Sequence, residues 1–411
     1  MRILFTMTGS WGTGSGTVVE GLVRHLSQRG HQCAVLYPAA PGMPDAQLKR
    51  APEATHLRVP FPIAEEGVEL YTYPLMIPDP SPGNLDGAWT YGQLSDLQFA
   101  VLEQTFTDAL EGAIEYFQPD VVECQHIWMM AAITSRADIP FLAAAHHSDQ
   151  MAFGDDPRMQ PMALQAAQAA RRIFALTEKH RDEIIRLYGL PPDRVEVTGN
   201  GYDRTVFFPR RIDRAEVAAH LGISLPDESP VVTFSGKLSR TKGIDILLEA
   251  NKILRRRMAT PPTLLLFGAG NLNDVLDPDI QRSGGYELEG VHLLGHRSAT
   301  QVAEAHNIAH CSVMPSRTEG FGLAALEAMA CGLPTVFSNL VGIDRLRVGA
   351  TVRPGDAAAL ASAIEDLVTM SNGDHSELRA QALSAAGKFS WTTIVDARLI
   401  AYQHVGAVTA D

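Results

Sequence analysis

The sequence is poor in cysteine, and none of its cysteines has a partner nearby in the chain. The four are Cys33, Cys124, Cys311 and Cys331, with no Cys-x-x-Cys pair and no zinc-finger spacing. Each lies in an apolar stretch, where a buried reduced thiol is the usual state. The pattern argues against disulfides and structural zinc, and it favours a cytoplasmic protein.

The chain also lacks long hydrophobic runs and an excess of positive charge. No run approaches the roughly 20 apolar residues of a membrane-spanning helix, and residues 1–5 lead directly into a strand pattern, so no membrane span or signal peptide is expected. Its 34 Lys and Arg face 47 Asp and Glu, which gives a formal net charge of −13. That charge repels nucleic acids and anionic membranes, so neither is an expected partner.

What the sequence does contain is an alternation of short apolar runs and helical patterns along 411 residues. This alternation is typical of parallel strands joined by helical crossovers, and the length indicates two domains. Strands are predicted at residues 2–6, 33–37, 120–124, 141–145, 173–176 and 195–198, then at 231–235, 264–267, 291–294, 311–315 and 334–337. The fold class is therefore α/β, with two doubly wound halves that face each other across a cleft.

Helices are predicted over residues 17–29 and 245–254, each directly after a loop that follows a strand. Residues 38–95 are rich in proline and glycine, so we interpret them as surface excursions rather than core. In this fold class ligands bind at the carboxyl ends of the strands. Function is therefore sought in the loops that follow strands.

The first such loop contains Gly14, Ser15 and Gly16. Glycines let backbone amides approach a phosphate or sugar closely, and the amino end of a helix adds positive potential. The spacing does not fit a dinucleotide fingerprint, and no phosphate loop of the Gly-Lys-Ser/Thr type occurs. A tight turn without a ligand is the alternative interpretation.

The second loop follows the strand at residues 231–235 and carries Gly236, Lys237 and Lys242. Two cations at this point could hold a diphosphate and stabilise the charge that develops on it as a leaving group. Solvated loop lysines are the alternative.

The third loop runs from Pro315 into a helix that is predicted to begin near Leu323 and to stop at Gly332. Glu319 precedes the helix and Glu327 lies inside it, and carboxylates accept hydrogen bonds from sugar hydroxyls. The alternative is a helix-dipole residue followed by a solvent-facing glutamate.

Taken together, these segments resemble the family-four retaining glycosyltransferases of GT-B fold. The resemblance covers nearly the whole chain and rests on motifs in the family's order: Asn200-Gly201-Tyr202-Asp203 with Phe207 and Pro209, Gly236-Lys237 to Lys242-Gly243, and Glu319-Gly320-Phe321-Gly322 to Glu327-Ala328. It implies an acceptor-binding domain at 1–206 and a sugar-nucleotide-binding domain at 207–389. Residues 390–411 are similar to the family's final helix, which crosses back to the first domain.

The resemblance also implies roles for single residues. Lys237 and Lys242 match the basic pair that contacts the diphosphate, although the family usually has arginine first, and lysine lacks its bidentate fork. Glu319 matches the residue that holds sugar hydroxyls, and Glu327 the one that holds the ribose. The other donor-binding residues that it implies are Gly16, Gly236, Gly268, Gly270, His296, Arg297, Gly320, Phe321, Gly322 and Leu323.

On the acceptor side, the resemblance places a histidine near the transferred sugar. His146 is the first choice and His147 the second, with Gly14 and Ser15 beside the acceptor. A His-His pair taken alone could equally be a metal ligand or a satisfied strand end. No cofactor is expected beyond the co-substrate, most simply a UDP-sugar.

Two segments depart from the pattern or resemble another one. Residues 338–344 lack the family's usual Gly-Gly turn and Pro-Glu pair. Asp277-Pro278-Asp279 has the form of a metal-binding Asp-x-Asp, but its Asn- and Gly-rich surroundings favour a solvated loop. No metal is expected.

The acceptor is expected to be a soluble small molecule rather than a lipid, because residues 43–70 carry more acidic than basic side chains. Tyr71, Tyr73, Trp89 and Tyr91 could line its pocket or form a packed excursion. A sugar-nucleotide epimerase or hydrolase of the same fold, a lipid-acceptor enzyme and a silent sugar-nucleotide-binding subunit are the alternatives.

Overall fold

The computed structural model describes residues 1–9, 11, 13–39, 50–65, 67–76, 89–272, 288–339 and 348–407. The chain divides into two compact units, which we call the first and second unit. The first comprises Met1–Gly201 with Trp391–Asp411, and the second Tyr202–Ser390. The sequence placed these boundaries after residues 206 and 389.

The first unit is built on a parallel seven-stranded sheet with strand order β3-β2-β1-β6-β7-β8-β9, beside a small antiparallel pair, β4 and β5. The strands are β1 Arg2–Thr6, β2 Gln32–Ala39, β3 Thr55–Pro60, β4 Ile63–Glu65, β5 Val68–Leu70, β6 Val121–Gln125, β7 Phe141–Ala144, β8 Ile173–Ala175 and β9 Val195–Val197. Alternate residues of β1 enter different clusters, Leu4 on one face and Ile3 and Phe5 on the other. Both faces are therefore covered, as parallel sheets require.

Helices cover these two faces, and the last of them comes from the end of the chain. They are α1 Gly14–Ser27, α2 Asp96–Phe117, α3 Met129–Thr134, α4 Ser148–Met151, α5 Met159–Ala169, α6 Glu178–Tyr188 and α13 Trp391–Ala407. Trp391 and Tyr402 pack in the same cluster as Val18 and Leu22 of α1. The final helix is thus part of the hydrophobic core of the first unit.

The helix α1 begins at Gly14, three positions before the predicted start at residue 17. The reason is a cap at Thr13, whose hydroxyl accepts the Gly16 N–H at 3.2 Å. Gly14, Ser15 and Gly16 therefore form the first helical turn rather than a loop.

The interpretation of residues 38–95 as surface excursions was wrong for the part of this segment that the structure describes. The described part of this segment supplies β3, which pairs with β2, and many buried side chains, among them Val59, Leu70, Tyr73 and Tyr91. Prolines and glycines interrupt its strands, but the apolar residues between them still pack against the sheet.

The second unit is built on a parallel six-stranded sheet with strand order β12-β11-β10-β13-β14-β15. The strands are β10 Val231–Ser235, β11 Thr263–Phe267, β12 Val291–Gly295, β13 Cys311–Met314, β14 Thr335–Ser338 and β15 Gly349–Val352. The helices are α7 Arg214–Leu221, α8 Ile244–Arg257, α9 Ala299–Ile308, α10 Leu323–Ala330, α11 Ala357–Val368 and α12 Asn372–Ala386. The sequence prediction missed β15, a short edge strand that begins with glycine.

All four cysteines are free and buried, as the sequence indicated. Burial raises the pKa of Cys33 and Cys124 to about 11 and that of Cys311 and Cys331 to about 12, so the thiols stay protonated. None of the helices that the structure describes is long and apolar enough to cross a membrane.

Candidate active site

Two loops of the second unit, after β10 and after β13, are fixed against each other by their backbones. Gly243 has a φ of 75°, and a Cβ there would lie 2.1 Å from the Pro315 carbonyl oxygen, so only glycine fits. The Arg317 N–H donates to the Thr241 carbonyl at 2.8 Å. The Arg317 guanidinium also grips the buried Asp245 carboxylate with two bonds of 2.7 Å. We call these contacts of Gly243, Arg317 and Asp245 the clamp. The clamp fixes the two loops that carry Lys242 and Glu319.

The clamp brings together Lys242 and Glu319, two of the predicted site residues. Lys242 Nζ lies 2.7 Å from Glu319 Oε2, and the Ser316 hydroxyl donates to the same oxygen at 3.3 Å. The two side chains are 31% and 13% exposed, so a ligand can still reach them. A cation suited to a phosphate and a carboxylate suited to hydroxyls therefore meet at one point.

The other lysine of the first loop, Lys237, is half-buried, and burial lowers its pKa. It follows Gly236, whose N–H continues the β10 pairing by donating to the Phe267 carbonyl at 2.9 Å. The loop that carries Lys237 is therefore an extension of the sheet rather than a free surface loop.

Gly268 and Gly270 allow the loop after β11 to touch the loop after β10. A Cβ on Gly268 would lie 1.9 Å from the Gly236 carbonyl oxygen, and one on Gly270 would lie 2.6 Å from that of Leu238. Both glycines have a φ near 140° (136° and 139°). Backbone packing alone thus requires glycine at these two positions.

The helix α10 begins directly after the Glu319 loop, as the sequence predicted. Its N-cap, Gly322, has a φ of 88° and provides no side-chain cap, so the first-turn amides are left for another acceptor. Phe321 is buried, with its ring centroid 5.7 Å from that of Phe389. Gly320 lies between the Glu319 carboxylate and this buried anchor.

Glu327 lies one turn inside α10 and is half-buried, whereas the alternative interpretation made it a solvent-facing glutamate. Burial raises the pKa of its carboxyl to about 8. Among the described residues, no group of opposite charge lowers this pKa. A carboxyl that is costly to ionise is a common feature of binding sites.

His296 and Arg297, the predicted rim of the base site, lie in the turn after β12. His296 is exposed, and Arg297 Nη1 approaches the His296 carbonyl at 3.5 Å. This places both residues at the carboxyl end of the sheet, the same end as Lys242 and Glu319.

In the first unit, His146 follows β7 at the carboxyl end of the sheet. Its Nε2 lies 2.8 Å from Gln125 Oε1, and its backbone N–H donates to Asp149 Oδ1 at 3.1 Å. The His126 ring lies 4.8 Å away. Burial, together with the nearby His126, Arg398 and His180, keeps the pKa of His146 well below its usual value, so the ring is neutral.

His147, the second choice, has a different setting. Its backbone φ is 72°, an uncommon value for a residue other than glycine, and its Nε2 lies 3.6 Å from Glu183 Oε2. Its ring packs edge-on against His180. Ser15 is buried, with its hydroxyl 3.1 Å from that of Thr13. These groups and Gly14 all belong to the first unit.

The sequence analysis missed Glu123 and Gln125, which lie behind His146. Both are fully buried in β6, and Glu123 is paired with Arg398 of α13. The signal was present in the sequence, because a charged residue inside the apolar run Val121–Gln125 must find a partner. Nothing in the spacing identified Arg398 as that partner, more than 270 positions away.

Two predictions concern residues whose structure is not described. Asp277-Pro278-Asp279 and most of 338–344 lie outside the described residues. Within the described ranges, no group of three or more His, Cys, Asp or Glu side chains is arranged to hold a metal ion.

Comparison with known families and proteins shows which family this chain is similar to. Residues 12–206 match the profile of Glycosyltransferase Family 4, and residues 229–370 match that of Glycosyl transferases group 1. The D-inositol 3-phosphate glycosyltransferase 1 of Catenulispora acidiphila is 31% identical over 306 residues, which cover 69% of this chain and 72% of that protein. The D-inositol 3-phosphate glycosyltransferase of Frankia alni is 30% identical over 310 residues, covering 69% and 74%.

Solved structures show the same fold at lower identity. A sucrose-phosphate synthase from Thermosynechococcus elongatus superposes with a TM-score of 0.73 at 19% identity, covering 99% of this chain and 100% of that one. Anabaena HepE in complex with UDP superposes with a TM-score of 0.68 at 18% identity, covering 98% of this chain and 100% of that one. These likenesses identify the architecture as the GT-B fold. With this fold, these profiles and these relatives, the chain belongs to the family-four glycosyltransferases.

Proposed function

We propose that this glycosyltransferase moves a sugar from a UDP-sugar to a hydroxyl of a small, neutral, polar acceptor, with retention of anomeric configuration. The observation that carries the proposal is the contact of 2.7 Å between Lys242 and Glu319, next to the uncapped amino end of α10. The cation and the free helix amides match the diphosphate of an activated sugar, which leaves with negative charge, and the carboxylate matches the sugar hydroxyls.

The donor would bind in the second unit. Lys242 and Lys237 neutralise the diphosphate, and the amides of Gly322 and Leu323 add donors along the helix axis. Glu319 accepts hydrogen bonds from sugar hydroxyls, and Glu327 from the ribose. The UDP bound in the HepE structure supports uracil as the base.

In the reaction, the bond between the anomeric carbon and the diphosphate oxygen breaks while the acceptor oxygen bonds to the same carbon on the same face. The acceptor proton passes to the departing phosphate oxygen. Positively charged lysines and helix amides stabilise the charge on the diphosphate as it leaves. We propose that this requires no metal ion.

The acceptor would bind in the first unit. The loops after β1, β6 and β7, at residues 7–13, 126–128 and 145–150, contain no Lys or Arg. Lys and Arg are the usual phosphate-binding side chains, and in the first unit the segment after β2 carries Lys49 and Arg50. For a site formed by the three loops without them, we propose an uncharged acceptor, unlike the inositol 3-phosphate named for the relatives.

Buried polar atoms in the same region support a hydroxyl-rich acceptor. Among the described residues, Tyr91 Oη, His126 Nδ1 and Trp128 Nε1 are buried without a hydrogen-bond partner. Such atoms are rarely left unsatisfied unless a ligand or water pairs with them. Tyr71, by contrast, is 57% exposed, and Tyr73 is buried in the core. We also propose a cytoplasmic location, which suits the reduced thiols, and no nucleic-acid or stable membrane partner.

A panel of sugar nucleotides tested by thermal shift identifies the donor, because a bound ligand raises the apparent stability. The matched donor is then incubated alone, with a neutral polyol and with a phosphorylated polyol. We expect product only with the neutral acceptor and an α-linkage from an α-donor by NMR. Turnover of the donor without an acceptor would indicate an epimerase or hydrolase instead. Turnover only with the phosphorylated acceptor would overturn the acceptor proposal.

A further inference from the structure

A buried hydrogen-bond network connects the final helix to His146. It starts at Glu123, in the middle of β6, whose side chain is fully buried. Arg398 Nη1 of α13 lies 3.0 Å from Glu123 Oε2, and the Tyr402 hydroxyl donates to the same oxygen at 2.5 Å. Burial and the Glu123 charge raise the pKa of Tyr402 well above its usual value, so the hydroxyl keeps the proton that it donates.

The other oxygen of Glu123 fixes the orientation of Gln125. Gln125 Nε2 donates to Glu123 Oε1 at 2.9 Å. A carboxylate beside a guanidinium can only accept, so the amide NH₂ of Gln125 must face Glu123. Its carbonyl oxygen is thereby turned towards His146 Nε2, at 2.8 Å.

This orientation determines which ring nitrogen of His146 carries the proton. An amide oxygen is only an acceptor, so Nε2 must be the donor, and in the neutral ring Nδ1 is then the bare nitrogen. Among the described residues, the hydrogen bond made by the His146 ring is the one between Nε2 and Gln125 Oε1.

We propose that Glu123, held by Arg398 and Tyr402, is a positioning residue that acts through Gln125 to fix His146 as the Nε2–H tautomer. His146 then presents Nδ1 as a hydrogen-bond acceptor to a substrate hydroxyl. Only this last step rests on the proposed function, because the tautomer follows from the network itself. The last helix of the chain thus sets the chemistry of a residue on a distant loop.

A purely structural role, in which the network only anchors α13, makes a different prediction. The same helix has an exposed ion pair, with Arg29 Nη1 and Asp396 Oδ1 2.7 Å apart. Asp396→Asn weakens the anchoring without touching Gln125 or His146, so it is the matched control. Gln125→Leu removes the acceptor for Nε2–H and leaves Glu123, Arg398 and Tyr402 in place.

The direct test is ¹⁵N NMR of histidine-labelled full-length protein, with His146 assigned by the resonances lost in His146→Asn. We expect a protonated Nε2 and a bare Nδ1 in the wild type and in Asp396→Asn, and a mixture of tautomers in Gln125→Leu. A protonated Nδ1 in the wild type overturns the proposal even if Gln125→Leu does not fold. An unchanged tautomer in folded Gln125→Leu also overturns it.

Steady-state kinetics provide a second readout. Gln125→Leu should lower kcat by roughly 10- to 100-fold without a change in KM for the donor, and the Gln125→Leu/His146→Asn double variant should be no slower than His146→Asn alone. Additive losses would mean that Gln125 acts independently of His146. If the wild type transfers no sugar at all, the proposed function fails, while the NMR result still decides the tautomer.

Discussion

The Lys242–Glu319 pair of the second unit and the Arg398–Glu123 pair of the first consist of the same kinds of charge in very different surroundings. The side chains of the former are 31% and 13% exposed, whereas those of the latter are 3% and 0% exposed. Water and ligands can compete for the first pair, but they cannot reach the second. A pair that can exchange partners suits substrate binding, and a pair that cannot suits the orientation of other groups.

The buried pair should give the largest effect on stability. Arg398→Met leaves the Glu123 carboxylate buried without its cation, which we expect to lower the free energy of unfolding by about 3–5 kcal/mol. Urea unfolding measures this change. The Arg398→Met/Glu123→Gln double variant, which removes both charges, should recover part of the loss. A single-variant cost below about 1 kcal/mol would show that the pair behaves like an exposed one.

The accessible pair should matter for catalysis instead. We expect Lys242→Ala and Glu319→Ala each to reduce transfer by about 10²–10³-fold, since each removes a group that meets the donor. Initial rates with the matched donor measure this loss. The control is Arg256→Ala, which removes an exposed cation from α8, and it should keep the wild-type rate. Wild-type rates in the first two variants would mean that the assigned roles are wrong.

The features that the sequence predicted are those that depend on local patterns in the chain. Strand positions were readable because buried strands are apolar runs: residues 2–6 and 231–235 are β1 and β10. The start of α10 at Leu323 was readable from its glycines. Lys242 and Glu319 lie in loops after strands, where ligand-binding residues are expected, and the structure brings them together.

The rest depends on contacts between distant segments. Residues 38–95 were misread because their composition was dominated by proline and glycine, while the buried Val59 and Tyr91 carried the packing. The need for glycine at Gly268 comes from the Gly236 carbonyl, which no local pattern reveals. The Glu123–Arg398 pair joins residues far apart in the chain, so only the folded structure identifies it.

Gly268 and Gly222 allow a comparison between a glycine in close contact with the backbone of another loop and a glycine with open space beside it. A Cβ at Gly268 would meet a carbonyl oxygen at 1.9 Å, whereas nothing lies within 4 Å of one at Gly222, although Gly222 also has a positive φ of 71°. We expect Gly268→Ala to cost roughly 2–3 kcal/mol and Gly222→Ala about 1 kcal/mol. Thermal and urea unfolding measure both. Equal costs would mean that the loops move apart without penalty.

The raised pKa of Glu327 predicts that the free energy of unfolding depends on pH. Its pKa is about 8 in the folded protein, above that of an unfolded glutamate, so unfolding releases a proton between these values and stability falls as the pH rises. Glu327→Gln cannot ionise. The unfolding free energy of Glu327→Gln should therefore rise relative to that of the wild type as the pH increases from about 5 to 8. The relative rise is at most about 1.4 kcal/mol per pH unit. A difference independent of pH would contradict the raised pKa.

The smallest effect is expected at the exposed ion pair of α13. Asp396→Asn breaks the Arg29–Asp396 pair, whose Asp396 side chain is 61% exposed. We expect a loss of about 0.2–1 kcal/mol and no change in the transfer rate. A loss as large as that of Arg398→Met would mean that burial does not distinguish the two pairs of this helix.

The central claim is that the loops of the second unit that carry Lys242 and Glu319 hold the diphosphate of the donor. Calorimetric titration of UDP into the wild type, Lys242→Ala and Arg256→Ala tests it most directly. We predict equal affinity for the wild type and Arg256→Ala, and for Lys242→Ala an affinity at least about tenfold weaker, which corresponds to about 1.4 kcal/mol. Equal binding of UDP by all three proteins would contradict it.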